Sequence, residues 1–380
     1  MTPTRTLHWF RNDLRLDDNP ALAEALCSDE TVPVVVLDNR FWAKDRWGHV
    51  KTGPFRTRFL LESIADLKAA IEEGGGALLI RQGHPEDILP ALMKEHACNR
   101  LTAQAEHTPE ELEIEAAVER AVHDQGGQCS WIEGHTLFHP DDLPMDLEAL
   151  PDIFTQFRKK VEKLSEVRKC IPAPTHLTAP ADLTSDEVPD LTEFLASTGQ
   201  TMPPADSRSV LPFKGGAREA KARLKHYFWD TRRLVVYKKT RNGLVGADYS
   251  SKFSPWLAHG CISPRRIASE VYRFEDTVEA NDSTYWLVFE LIWRDYFRFI
   301  AMQHGDRIWQ ATGLKDAPRN PVTHHPLQWK DWCTGNTKSA YVNANMHELR
   351  LTGFMSNRGR QNVASYAIHD MGLDWRECAA

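Results

Sequence analysis

The sequence has no apolar run approaching the roughly 20 residues needed to span a bilayer. Its first residues, MTPTRTLHWFRNDLRL, contain neither an apolar export region nor a small-residue cleavage site. Membrane insertion and export are disfavoured, and a cytoplasmic protein is expected. Cysteine is sparse: seven residues, Cys27, Cys98, Cys129, Cys170, Cys261, Cys333 and Cys378, odd in number, scattered and without a CxxC pair. That pattern indicates neither a disulfide framework nor a zinc or other metal site, and it suits a reducing compartment. No GxGxxG or GxxxxGK(S/T) follows a strand-like run, so an ordinary dinucleotide or nucleoside triphosphate site is unsupported. Internal repeats and low-complexity tracts are missing too. The formal net charge is -7, which argues against a protein that coats nucleic acid over its whole surface and leaves room for a local basic groove.

What is present is the composition of a folded protein. Of 380 residues, 42% are hydrophobic and 26% charged, close to globular averages, and the length suits two domains or more. Tryptophan is abundant at 12 residues, and eight of them (Trp229, Trp256, Trp286, Trp293, Trp309, Trp329, Trp332 and Trp375) follow residue 205. Such indoles either fill a helical core or line an aromatic cofactor and carry electrons.

Along the first third, TLHWF (6–10), VPVVVLD (32–38), ALLIRQG (77–83) and LTAQAE (101–106) read as buried strands, with SWIEGHTLF (130–138) a fifth. Between them PFRTRFLLESIADLKAAIEEGGG, PEDILPALMKEH and PEELEIEAAVERAVHDQGG carry helical apolar spacing behind proline starts. This alternation predicts an α/β domain over 1–138, a doubly wound parallel sheet with helices on both faces and ligands at the carboxyl ends of its strands. Residues 139–205 hold nine prolines and little periodicity beyond IFTQFRKKVEKL, and read as an interdomain linker. Beyond them, 206–380 read as an all-α domain.

Four stretches carry chemistry. In GADYSSKFSPWLAHGCISPRR (246–266), Ser254 is placed to cap a helix that Pro255 begins, and with Ser250, Ser251 and Lys252 would form an anion site suited to a pyrophosphate, or simply an ordinary capped helix. The helix STYWLVFELIWRDYFRFI (283–300) sets Trp286, Glu290, Trp293 and Arg294 on one face. Those charges either pair as Glu290 with Arg294 or face a polar ligand. Near the end, Asn357, Arg360 and Gln361 share a face suited to a heterocycle edge or a buried carboxylate, or a solvated one. A basic series from Arg208 to Arg241, interleaved with aromatics, is a candidate phosphate track, though exposed helix faces are commonly basic.

Taken together, HWFRNDLRLDDNPAL, TRNGLVGADYSSKFSPWLAHGCISPR, ELIWRDYFRF and TGFMSNRGRQNVASY make the chain similar to the photolyase and cryptochrome family, in its DASH-type branch. The resemblance runs from the first strand to Trp375. It implies an N-terminal α/β domain and a C-terminal helical domain that holds FAD in a folded shape. Carried over by position, Tyr237, Ser250, Ser251, Lys252, Phe253 and Ser254 would contact the FAD phosphates and ribose. Glu290, Trp293 and Arg294 would face the flavin and lesion cavity, with Asn357 and Arg360 at the isoalloxazine ring and Arg358 on the DNA. Glu290, Asn357 and Trp375 would serve catalysis, Trp375 as the middle member of an electron-transfer chain. The implied activity is blue-light-driven splitting of cyclobutane pyrimidine dimers, preferentially in single-stranded DNA, by a monomer. A 5,10-methenyltetrahydrofolate antenna is implied as well, with Glu106 and Glu111 as candidate pterin contacts.

The chain departs from the family pattern in two ways. Family members continue past DWR with acids and an asparagine near the flavin and the proximal tryptophan, whereas this sequence ends at DWRECAA. It therefore reads as truncated, with Arg360 expected to lack an acidic partner. The spacing also puts Val322 where the distal tryptophan would stand, leaving Trp329 or Trp309 as substitutes. Two alternatives to repair remain open on these grounds: a photoreceptor or nucleic-acid-binding flavoprotein that does not repair, and a homologue with impaired FAD binding.

Overall fold

The computed structural model describes residues 3–315 and 325–379. Five parallel strands, β1 (Arg5–Phe10), β2 (Glu30–Asp38), β3 (Leu79–Gly83), β4 (Arg100–Gln104) and β5 (Gln128–Ile132), lie in the order β3-β2-β1-β4-β5. Helices α1 (Pro20–Ala25), α2 (Pro54–Glu73), α3 (Pro85–Glu95) and α4 (Pro109–Asp124) join them, each with proline in its first turn, where the missing N–H leaves no bond unmade. The order reverses at β1, so the carboxyl ends of β1 and β4 open a crevice.

The pleat divides the apolar residues between two faces. Leu7, Trp9, Val32, Val34 and Val36 pack with Leu89 of α3 and Val118 of α4, while Phe10, Val35 and Leu37 point into the opposite core. The fifth strand is shorter at its end than the expected 130–138. It stops at Ile132 because the chain turns away to present the amides of Leu137 and Phe138 to the Asp295 carboxylate, both at 2.9 Å.

The remaining helices are α5 (Phe154–Leu164), α6 (Leu191–Ser197), α7 (Ala217–Lys225), α8 (Tyr237–Thr240), α9 (Ser254–Ala258), α10 (Pro264–Thr277), α11 (Asp282–His304), α12 (Pro326–Thr334), α13 (Ala340–Thr352), α14 (Asn357–Ser365) and α15 (Trp375–Ala379). The longest, α11, starts at a reciprocal cap between Asn281 and Thr284. It buries Leu287, Leu291, Ile292 and Phe299 against Phe228 and Phe274, and against Phe157 of α5. Each fully buried phenylalanine contributes roughly 2–3 kcal/mol. Through these residues the core on the Phe10 face of the sheet runs unbroken into the helices. Trp332, Val342, Met346, Met355, Val363, Ala367 and Leu373 form a separate core under α12–α15.

Buried polar groups lock sheet to helices. Asp18 is fully enclosed and takes two hydrogen bonds from Arg265, at 2.9 and 3.0 Å, and a third from Ser263. Arg15 donates to the carbonyl of Gly260 at 2.9 Å. Gly260 has φ +64, and a Cβ there would sit 1.9 Å from the carbonyl oxygen of Asn12, so only glycine fits. Among the described residues no helix is long and apolar enough to cross a membrane.

Candidate flavin and substrate site

The segment before α9 is shaped by a residue that the sequence pattern did not single out. Arg223 of α7 is buried, pairs with Asp248 at 2.7 Å, and donates to the carbonyls of Ala247, Ser250 and Ser251 at 3.0–3.1 Å. Five donors in a rigid fork suit this role, because the loop offers a row of acceptors. Lys252 is thereby held at φ +57 and buried. Its ammonium lies 3.8 Å from the Tyr249 ring and 4.3 Å from Phe354, with no carboxylate in salt-bridge range among the described residues. Burial lowers its pKa to about 8, against the pull of Glu348. A cavity of about 600 Å³ opens beside it, lined by Phe213, His347, Glu348 and Phe354.

Tyr237 is buried under the same loop, and burial followed by Glu290 raises its pKa. Ser251 and Phe253 are buried with it, and Ser250 is partly so. Ser254 does not cap α9 as the sequence suggested. Phe253 already has helical dihedrals, so Ser254 is the first helical residue, exposed, and no side chain caps the turn.

On α11 the expected choice between an intrahelical pair and a ligand resolves differently. Glu290 pairs with Arg241 of the segment after α8 at 2.7 Å and accepts from the indole of Trp286 at 3.1 Å. Burial raises its pKa, with Arg241 acting the other way. The Lys238 ammonium lies 4.4 Å from the same indole. Arg294 turns away and donates to the carbonyls of His135 and Leu257, at 2.5 and 3.4 Å. Burial first, and Arg298 second, push its pKa down. Trp293 stacks on Phe154 of α5 at 3.6 Å, with the planes 13° apart.

The first turn of α14, capped by Ser356 on the amide of Gly359, exposes Asn357, Arg358 and Arg360. Arg358 donates at 2.9 Å to Asn242, the residue that follows Arg241, the partner of Glu290. The Arg360 guanidinium has no acid partner among the described residues, and its partial burial lowers its pKa. The structure thus links Tyr237, Glu290, Trp286 and Arg358 through Arg241 and Asn242, and leaves Arg294 on its own carbonyl partners. Trp375 donates to the carbonyl of Ala311 at 3.5 Å. Trp329 stacks on His49 at 4.1 Å and Trp309 is half exposed, while Val322 falls outside the described residues.

Much of the basic series from Arg208 is committed within the fold: Arg208 to Asp206, Arg218 to Glu73, Lys225 to Asp230 and Lys238 to Asp282. In the sheet, a small cavity of about 90 Å³ at the ends of β1 and β2 is lined by Trp9, Asp38, Arg56, Glu111 and His259. Glu106 lies deeper, 2.9 Å from His135 and accepting from Asn12 at 2.8 Å.

A buried lysine without an acid, an arginine without an acid, and the hydroxyls of Tyr237, Ser250 and Ser251 form a donor set that fits a pyrophosphate and a heterocycle edge. Comparison with known proteins gives the family. Residues 6–179 match the DNA photolyase family and 286–380 the FAD binding domain of DNA photolyase. A Cryptochrome DASH of Gloeobacter violaceus is 45% identical over 99% of this chain and 74% of its own length. The chain belongs to the DASH cryptochromes. That of Danio rerio is 44% identical over 99% of this chain and 72% of its own. The crystal structure of the Synechocystis sp. PCC6803 cryptochrome superposes with a TM-score of 0.93 at 43% identity, over 100% of this chain and 78% of that one. A class III photolyase from Agrobacterium tumefaciens, at 24% identity and TM-score 0.79 over 100% of this chain and 75% of its own, shares the fold. The cofactor of this DASH cryptochrome is therefore FAD, as its carboxy-terminal family match requires.

Proposed function

We propose that the protein is a light-driven lyase that splits cyclobutane pyrimidine dimers in single-stranded DNA, acting as a cytoplasmic monomer. Reduced FAD, when bound, supplies on absorbing blue light the electron that opens the cyclobutane ring and takes it back afterwards, so the reaction has no net redox change. The protein's own residues bind, orient and hold a proton. Glu290 carries the reading: it is a half-buried carboxyl with a raised pKa, fixed between Arg241 and the Trp286 indole. Burial makes this carboxyl easier to protonate than a free one, and a proton taken up there could be donated to a pyrimidine carbonyl as charge develops. Trp286 would offer a flat face to a dimer flipped from the strand, with Trp293 held in its stack on Phe154 behind it on the same helix, and Arg358 a cation to its phosphate.

Lys252, with Ser250 and Ser251, would hold the FAD pyrophosphate, and Asn357 and Arg360 the ring edge. Trp375 would pass electrons towards the flavin. One edge of the folate antenna would meet the mouth of the small cavity at the ends of β1 and β2, with Glu111 at its wall and Glu106 set by His135 behind. The test is illumination of the FAD-loaded protein with oligonucleotides that carry a thymine dimer, single-stranded and duplex. Light-dependent loss of dimers, faster in the single strand, is expected. A flavin spectrum that responds to light while every dimer survives would make the protein a photoreceptor, and a preparation that cannot be loaded with FAD would rule out both.

A further inference from the structure

A second groove, of about 590 Å³, lies between α7 and α10 and shares no residue with the flavin and substrate site. Lys221 and Lys225 stand one turn apart on α7, and Arg266, Glu270 and Arg273 share a face of α10 opposite them. Four cations and two carboxylates, Asp17 and Glu270, line it, in a chain whose net charge is -7. Trp229 walls the groove from a wider π turn, His226–Asp230, that interrupts the helix after Lys225. Such turns re-aim side chains and recur at functional sites.

The walls are built in place. The Trp229 indole donates to Glu270 at 3.3 Å, and the Arg273 guanidinium lies 4.6 Å from its ring. Arg266 makes two hydrogen bonds with Asp17, at 2.7 and 2.8 Å. Lys225 is tied to Asp230 at the surface, its one acid partner among the described residues and a contact that exposed ions exchange at little cost. Lys221 has no acid partner among the described residues. A fixed indole beside two exposed lysines suits a flat ring carrying an anionic group.

We propose that this groove binds a free nucleoside monophosphate, with the base against Trp229 and the phosphate between Lys221 and Lys225. The test titrates the FAD-loaded protein calorimetrically with adenosine 5′-monophosphate while flavin absorbance is followed. One saturable site is expected, with the flavin band unchanged. Binding should weaken at least tenfold in the surface variant K221E/K225E, and adenosine or inorganic phosphate alone should bind at least tenfold more weakly. The absence of saturable binding, undiminished binding in K221E/K225E, or displacement of FAD would overturn the proposal. So would an oligothymidylate that binds more tightly and is equally weakened in the variant, since the groove would then belong to a nucleic-acid strand.

Discussion

The sheet and helices α5, α7, α10 and α11 share a core that runs from Phe10 to Phe299, whereas α12–α15 close around seven buried residues of their own. The larger body is pinned internally by enclosed ions such as Asp18 with Arg265. The smaller bundle meets it along a seam that includes Phe354 on Phe213 at 4.7 Å, Trp329 and Glu377 at His49, and Arg358 on Asn242. Lys252 and Arg358, both proposed to contact ligands, lie along that seam. The difference teaches that docking of the bundle and occupancy of the flavin site are one linked equilibrium, since a ligand that contacts both parts stabilises their contact by mass action.

The strongest challenge to this contrast is Gly260→Ala. A Cβ at 1.9 Å from the Asn12 carbonyl forces the sheet and helices apart, and about 3 kcal/mol or more of stability should be lost in urea denaturation. If the body is one unit, sheet and helices lose stability together; separate transitions would break the comparison.

Asp295→Asn should cost about 1–3 kcal/mol, because an amide NH2 would face one of the two backbone donors. Burial raises the Asp295 pKa to about 7, with the amides of Leu137 and Phe138 acting the other way. The folded carboxyl thus holds its proton more tightly than the unfolded one. Its contribution to stability is complete below about pH 4 and lost as pH rises through about 7. Thermal melts of the variant should show a flatter pH dependence across that window.

At the seam, Glu290→Gln should slow dimer repair about tenfold, as expected for one buried hydrogen bond to developing charge, with flavin content unchanged. Because the Glu290 pKa is raised, the wild-type rate should fall as pH rises through it, and the variant should lack that limb. A variant that instead loses flavin would place Glu290 in cofactor retention.

Lys252 sharpens the linkage. Its folded pKa of about 8 lies below the ordinary value, so the unliganded protein gains stability as pH rises from about 8 towards 10.5. A bound pyrophosphate reverses the shift, so FAD binding near pH 8–9 should take up protons, measurable by calorimetry in buffers of different ionisation heat. The smallest effect is expected of Arg358→Ala, below about 1 kcal/mol in stability. DNA binding should weaken, with the salt slope reduced by about one.

Four strands and α11 were legible because continuous apolar runs and helical spacing are local properties. The end of β5 was not, since an acid some 160 residues away takes its amides. Glu290 and Arg294 stood out as charges among tryptophans, but their partners could not be read: Arg241 and the His135 carbonyl are brought near only by packing. Arg223 gave no signal beyond membership of a basic series. In 139–205 prolines masked a clue, for Phe154, Phe157 and Val161 recur at three- and four-residue spacing and all three are buried in the main core. The capping rule overreached at Ser254 because Phe253 had already entered helical dihedrals.

The Asp18–Arg265 lock spans 247 residues of sequence. At ribosomal rates of roughly 5–20 residues per second, Asp18 leaves synthesis roughly 10–50 s before its partner. Until then the loop after β1 carries a carboxylate destined for full enclosure without the guanidinium that makes two hydrogen bonds to it. The nascent sheet must therefore stay hydrated on that side, and its final closure is timed by the arrival of α10.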